Sequence, residues 1–225
     1  MSDFLGSTSV AASVVLLLLG AALTLVISAL AIVLGFVIAF PVCAASLSRR
    51  RVLRWLGAAY VSVFRGVPLL VQLLVIYYLL PFIGIELPSF MAGAVGLAIC
   101  TAAYQAENLR GGFMIIPRGQ TAAARAFGYS AGQTWRHILL PQALRASMPS
   151  VVNEMISILK ASSLVSVVGA PELTRISENI VARSIQPIQW YGLAALLYLA
   201  MNLLVASLGK VSERRLARGV VRAAL

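Results

Sequence analysis

Charge is scarce in this 225-residue chain, and acid is scarcest: seven Asp and Glu stand against 18 Lys and Arg, and charged residues make up only 11%. A soluble domain carries roughly 25% charged residues. With 60% hydrophobic residues beside that shortage, the composition points to a membrane protein. Histidine occurs once, at His137. That excludes an H-E-x-x-H zinc site, which needs two, and no metal is expected. The only two cysteines, Cys43 and Cys100, lie far apart in apolar surroundings and read as small core residues. No G-x-x-x-x-G-K-[ST] phosphate loop is present: the single Gly-Lys pair, Gly209-Lys210, has Leu204 and Val211 at the other two motif positions. The chain is therefore not its own ATPase by that route, and no enzyme activity is expected of it.

What is present is apolar runs. Five stand out, at about Val10 to Phe40, Leu56 to Phe82, Ser89 to Ala106, Met148 to Ala170 and Ile188 to Gly209. A helical span needs ~20 apolar residues, so an all-α protein of five spans is expected. The first run ends at Pro41 and is too long for a signal peptide. Its first ten residues carry Asp3 but no Lys or Arg, so a retained helix is expected.

Fourteen of the 18 basic residues fall on one side of this five-span layout. They are Arg49, Arg50, Arg51 and Arg54 after span one, five arginines from Arg110 to Arg145 after span three, and Lys210 to Arg222 after span five. The other side holds Asp3, Glu86, Glu172 and Glu178 against Arg175 and Arg183. The positive-inside rule places the N-terminus outside and the C-terminus in the cytoplasm. The excess of base is thus a topology signal and calls for no nucleic acid. Trp190 and Tyr191 fall where span five meets the outer interface.

The polar stretch "GQTAAARAFGYSAGQTWRHILLPQAL", Gly119 to Leu144, is then cytoplasmic. Its alanines form a helix that Gly128 ends, because glycine accepts left-handed backbone angles. Ser130 stands three residues before Gln133, the spacing of a capping box, and Trp135, Ile138 and Leu139 give the second helix one apolar face. Pro141 marks that helix's end or a bend in it. Two short helices about a glycine turn suit either a docking element or a helix-turn-helix DNA reader. The spans begin too close on either side to leave a groove reader its own core, which favours docking.

The same residues resemble the cytoplasmic signature of permease subunits of ABC importers: Glu-Ala-Ala, three residues, Gly, nine residues, Ile, one residue, Leu-Pro. Ala123-Ala124, Gly128, Ile138, Leu140 and Pro141 keep that spacing, while Ala122 replaces the glutamate. "FRGVPLLVQLL" at Phe64–Leu74, "AYQAENLRGG" at Ala103–Gly112, "PRGQ", "LPQALR" and "ILKASSLVSVVGAPEL" resemble the polar amino-acid branch, of histidine, glutamine, arginine or opine type. The resemblance implies one permease domain over residues 1–225, in the bacterial inner membrane, with a coupling loop at about 111–145. Gln120, Ala122, Ala123, Ala124, Arg125, Gly128 and Pro141 would meet a partner ATPase dimer, which uses ATP and Mg; this chain itself holds no cofactor. A second permease subunit, identical or sister, and an extracytoplasmic amino-acid-binding protein complete the set. A membrane-tethered helix-turn-helix regulator is the alternative.

Ionisable residues inside the runs are the remaining signal. Arg65 lies about ten residues into span two and Lys160 about twelve into span four, and a charge at the bilayer centre costs about 3 kcal/mol. Asn153, Ser157, Lys160 and Ser163 recur at i, i+4, i+7 and i+10, a polar stripe that should not face lipid. With Gln72 and Glu107 these residues are the candidate substrate pathway. The alternative is a charge pair of Arg65 or Lys160 with Glu107 or Glu154.

Overall fold

The structure, a computed structural model, describes residues 2–221, with side chains from 10 to 213. Asp3, Arg214, Arg215, Arg218 and Arg222, which enter the charge count above, therefore lie outside the described side chains. Nine α-helices account for most of the described residues: α1 Ser2–Ser46, α2 Arg51–Gly66, α3 Leu69–Leu79, α4 Ser89–Met114, α5 Arg118–Ala126, α6 Ala131–Gln133, α7 Leu140–Ala161, α8 Leu173–Ser184 and α9 Pro187–Val221. No strand occurs among them. Four helical stretches are long and apolar enough to cross a membrane: Val10–Ser46, Ser89–Met114, Ala131–Val168 and Pro187–Glu213. A fifth crossing is available if α2 and α3, bent by 101°, count as one.

Small residues let the long helices meet. On α1, Ala21, Thr24, Ser28, Ala31 and Ala39 recur at helical spacing and are buried. A methyl group at Gly35 would sit 2.9 Å from Thr101 Cγ2 on α4. A methyl at Gly112 of α4 would sit 2.5 Å from the Ala143 carbonyl of α7. Close backbone approach of this kind drives packing where hydrophobicity gives no preference for protein over lipid. The opposite side of α1 presents Val15, Leu19, Val26, Val33 and Val37, all exposed, as a lipid-facing surface should. Three buried clusters follow one another along the bundle: Leu17, Leu159, Leu173 and Trp190 at one end, Ile27, Leu97, Ile158 and Val165 in the middle, and Ala39, Cys43, Val61 and Leu109 toward the other.

The structure corrects several sequence boundaries. Helix α1 runs through Pro41 to Ser46 instead of stopping there. In an apolar environment the freed backbone has no water to turn to, so continuing costs less than unravelling. The second run is not one straight helix: α2 stops at Gly66, Val67 is extended, and α3 starts after Pro68. Proline disfavours helical angles in the residue before it, which supplies the break. Arg65 therefore sits in the last turn of α2, beside the bend, and not about ten residues into a continuous span. Helix α4 outlasts Ala106 by eight residues, because Glu107, Asn108 and Arg110 find partners within the protein. Pro141 ends nothing. Helix runs from Ala131 to Val168, with a π turn at Thr134–Leu139 just before the proline. The widened turn takes up the carbonyl that a proline ring would strike. Trp190 is 6% exposed and packs inside the bundle, so only Tyr191, at 45%, suits an interfacial ring. Helix α8 has no counterpart in the five-run reading.

Candidate functional site

The hairpin is built as its letters suggest. Helix α5 closes at Phe127, and Gly128 takes the left-handed angle φ 79°. The N–H groups of Gly128 and Tyr129 donate to the carbonyls of Arg125 and Ala124. Ser130 Oγ accepts from the Gln133 N–H at 3.3 Å while Gln133 Oε1 accepts from the Ser130 N–H at 2.9 Å, a complete capping box. Gly128 to Gly132 also spells G-x-S-x-G, the letters of a nucleophile elbow. Here the serine follows a helix, not a strand, and its hydroxyl is spent as a helix cap.

Two contacts fix the hairpin to the bundle. Trp135 stacks on Phe113 at the end of α4, with ring centroids 5.7 Å apart and planes 14° from parallel. Gln142 of α7 reaches Gln120 of α5 at 3.5 Å and its own Ile138 carbonyl at 2.8 Å. Of the candidate coupling residues, Ala124 is buried beneath the hairpin, whereas Gln120, Ala122, Ala123, Arg125 and Gly128 are exposed. Phe127 is 83% exposed at the tip, next to exposed Tyr129. Sequence reasoning passed over both. Their signal was an aromatic pair flanking the turn of a hairpin too small to have a core of its own.

At the α2–α3 bend a charge cluster forms. Arg110 holds Glu107 through two hydrogen bonds of 2.8 Å. Arg65 approaches the same carboxylate at 3.8 Å and lies over the Tyr104 ring, 5.0 Å from its centroid. The amide of Gln72 donates to the carbonyls of Phe64 and Val67, at 3.0 and 2.8 Å, the groups that the helix break leaves unpaired. Gln72 thus braces the bend, and of the expected charge pairs Arg65 with Glu107 is the one that forms. A cavity of about 350 Å³ opens onto Glu107 and Arg110, with Arg54, Ser46 and Ser62 on its other walls.

The polar stripe is elsewhere. Asn153 and Lys160 are exposed on the side of the chain, and the Lys160 ammonium has no ion pair or hydrogen bond among the described residues. The Ser157 and Ser163 hydroxyls donate to the carbonyls of Asn153 and Lys160, at 3.0 and 2.8 Å. Lys160 therefore pairs with neither Glu107 nor Glu154. The structure brings Arg65, Gln72 and Glu107 together and leaves the stripe as a separate outward surface.

A third constellation was read from sequence only as topology charge. Glu172 is fully buried and caps α8, accepting from the N–H groups of Thr174 and Arg175 at 3.0 and 2.7 Å. Tyr198 of α9 donates to it at 2.8 Å, and Thr24 of α1 accepts from the Leu173 N–H at 3.0 Å. Burial pushes this carboxyl above the ordinary range, against the pull of its donors.

Comparison with known proteins gives these elements a setting. Residues 31–218 match the family model for the inner membrane component of binding-protein-dependent transport systems. A probable amino-acid ABC transporter permease of Bacillus subtilis is 36% identical over 201 residues, 89% of each chain. The octopine transport system permease of Rhizobium meliloti is 37% identical over 206 residues, 88% of this chain and 84% of that one. A crystal structure of an amino acid ABC transporter with histidines superimposes with a TM-score of 0.85 at 34% identity, over 92% of this chain and 97% of that one. The methionine transporter in an inward-facing form shares the fold, with a TM-score of 0.76 over 89% of this chain.

Proposed function

The chain belongs to the family of binding-protein-dependent transport system inner membrane components, and we propose on that footing that it is the membrane-spanning subunit of an ATP-driven importer of a polar amino acid or an opine. It is a multi-pass protein of the bacterial inner membrane. The DNA-binding alternative has no support among the relatives, and its second helix is not free to enter a groove, since it continues into α7.

The observation that carries the reading is the exposed hairpin, tied at its base to α4 and α7 and presenting Phe127, Tyr129 and Arg125 at its tip. In this reading the whole chain is one permease domain of five spans, with α2 and α3 sharing one. Its N-terminus is outside and its C-terminus cytoplasmic, so the hairpin meets the partner ATPases. Those partners bind ATP and Mg. Their closure pulls the hairpin, and the rigid continuation of α6 into α7 carries that movement into the membrane. Net work comes from the tighter binding of ATP to the closed state. The stripe of Asn153, Ser157, Lys160 and Ser163 faces a second permease subunit across the pathway. Lys160 is then the free cation that attracts a substrate carboxylate, and Arg65 holds the bend. An extracytoplasmic binding protein delivers substrate at the α8 end.

The test is ATP-driven uptake of a labelled panel of basic, acidic, amide and opine substrates by the reconstituted complex. Saturable uptake of one class supports the proposal. Uptake of none, by a complex that hydrolyses ATP in response to its binding protein, overturns it.

A further inference from the structure

Helix α7 carries a second feature on the side away from its polar stripe. A cavity of about 440 Å³ opens there, walled by Phe36 of α1 and by Pro141, Leu144, Met148, Val151 and Met155 of α7, with Arg145 among them. At about 100° per residue, Met148 and Met155 stand roughly 160–180° round the helix from Ser157. If the stripe faces a sister subunit, as proposed above, the cavity faces lipid. Its surroundings agree: Val33 and Val37, flanking Phe36 on α1, are 62% and 66% exposed. Gly209 of α9 packs on Val152, the residue next to the Val151 wall.

The lining is that of an amphiphile site. Five of its walls are aliphatic or thioether groups and one is aromatic. Methionine suits such a wall because its unbranched, polarizable side chain adapts to an irregular chain. Arg145 is the only charge in the lining and is exposed, and its guanidinium has no ion pair or hydrogen bond among the described residues. No acidic side chain lines the cavity to neutralise it. Basic pockets between spanning helices on the cytoplasmic side hold anionic headgroups. We infer that this cavity binds one anionic phospholipid, with its phosphate on Arg145 and an acyl chain between Phe36, Met148 and Met155. The site spans α7 from Pro141 to Met155, beginning directly after the π turn that joins it to the hairpin. An occupant there stiffens the element through which hairpin movement must pass.

The test uses the full-length chain in detergent, titrated with phosphatidylglycerol, with phosphatidylcholine of the same acyl chains, with glycerophosphoglycerol and with inorganic phosphate. Bound lipid is counted by native mass spectrometry and stability is followed by thermal melting. Phosphatidylglycerol should be retained at one per chain and raise the melting temperature more than phosphatidylcholine does. Arg145→Gln should weaken phosphatidylglycerol about tenfold and remove that preference. Met148→Trp, or Met155→Trp should the first misfold, should abolish retention of both lipids. Equal retention of the two lipids by the wild type overturns the site, and so does undiminished retention by the filled variants. Equal stabilisation by glycerophosphoglycerol or phosphate makes it a free-anion site and overturns it too. Self-association that Met148→Trp disrupts would assign the cavity to a second copy instead. Retention of the partner ATPase by Met155→Trp, which lies outside the coupling loop, measured alongside, separates failure of this site from failure of the importer reading.

Discussion

The hydroxyl of Tyr198 donates to the buried carboxyl of Glu172 over 2.8 Å, tying α9 to the capped start of α8. Thr24 of α1 holds the next residue through the Leu173 N–H, so three elements meet at the start of α8. Removing one partner of a buried hydrogen bond costs about 1–3 kcal/mol. Tyr198→Phe should therefore lower stability by about that amount, and Glu172→Ala by more, since it also deletes the cap. Thermal unfolding in detergent measures both. Equal stability of Tyr198→Phe and wild type would show the junction to be idle.

The same carboxyl gives a pH signature. Burial raises its pKa in the folded chain, whereas the unfolded chain returns it to about 4.3. The folded state then binds the proton more tightly. The stability this supplies is complete below about pH 4.3 and is lost as pH rises through the raised value. Glu172→Gln should flatten that decline. A pH profile identical in the two proteins contradicts the assignment.

At the hairpin, backbone shape and tip chemistry separate. Gly128→Val places a β-branched residue at φ 79°, a strain of about 1–3 kcal/mol. It should release the partner ATPase on purification. Phe127→Ala removes an 83% exposed ring, so it should leave melting unchanged while weakening retention of the ATPase. A Phe127→Ala chain that keeps its partner as tightly as wild type would remove the tip from the docking surface.

The two membrane cations should behave differently on neutralisation. Lys160→Met should impair uptake and leave assembly intact, because Lys160 is unpaired and exposed on this chain. Arg65→Met strips a partner from Glu107 and from Tyr104, so it should lower the melting temperature as well. Uptake assays and melting curves on both variants decide. Loss of assembly with Lys160→Met would make it a packing residue.

How much was legible follows from range. The hairpin could be read because its signals are local: a left-handed glycine, a Ser–Gln box three residues apart, a run of alanines. The bend at Pro68 was written in one residue, yet apolar letters on both sides hid it, and with it the true place of Arg65. Helix α8 escaped because its apolar face is only Leu173, Ile176, Ile180 and Val181, too short for a span. Glu172 passed as a surface charge because its partner Tyr198 is 26 residues away, and Thr24, which holds the neighbouring Leu173, is 149 residues from that residue. No local pattern announces a meeting of three distant helices.

The most direct test of the account is the sidedness of the hairpin tip. Both native cysteines are buried, so Phe127→Cys adds one accessible thiol. A membrane-impermeant maleimide should leave it unlabelled in intact cells, label it in permeabilised cells or inverted vesicles, and label it less when the ATPase is bound. Labelling in intact cells would place the hairpin outside and contradict the account.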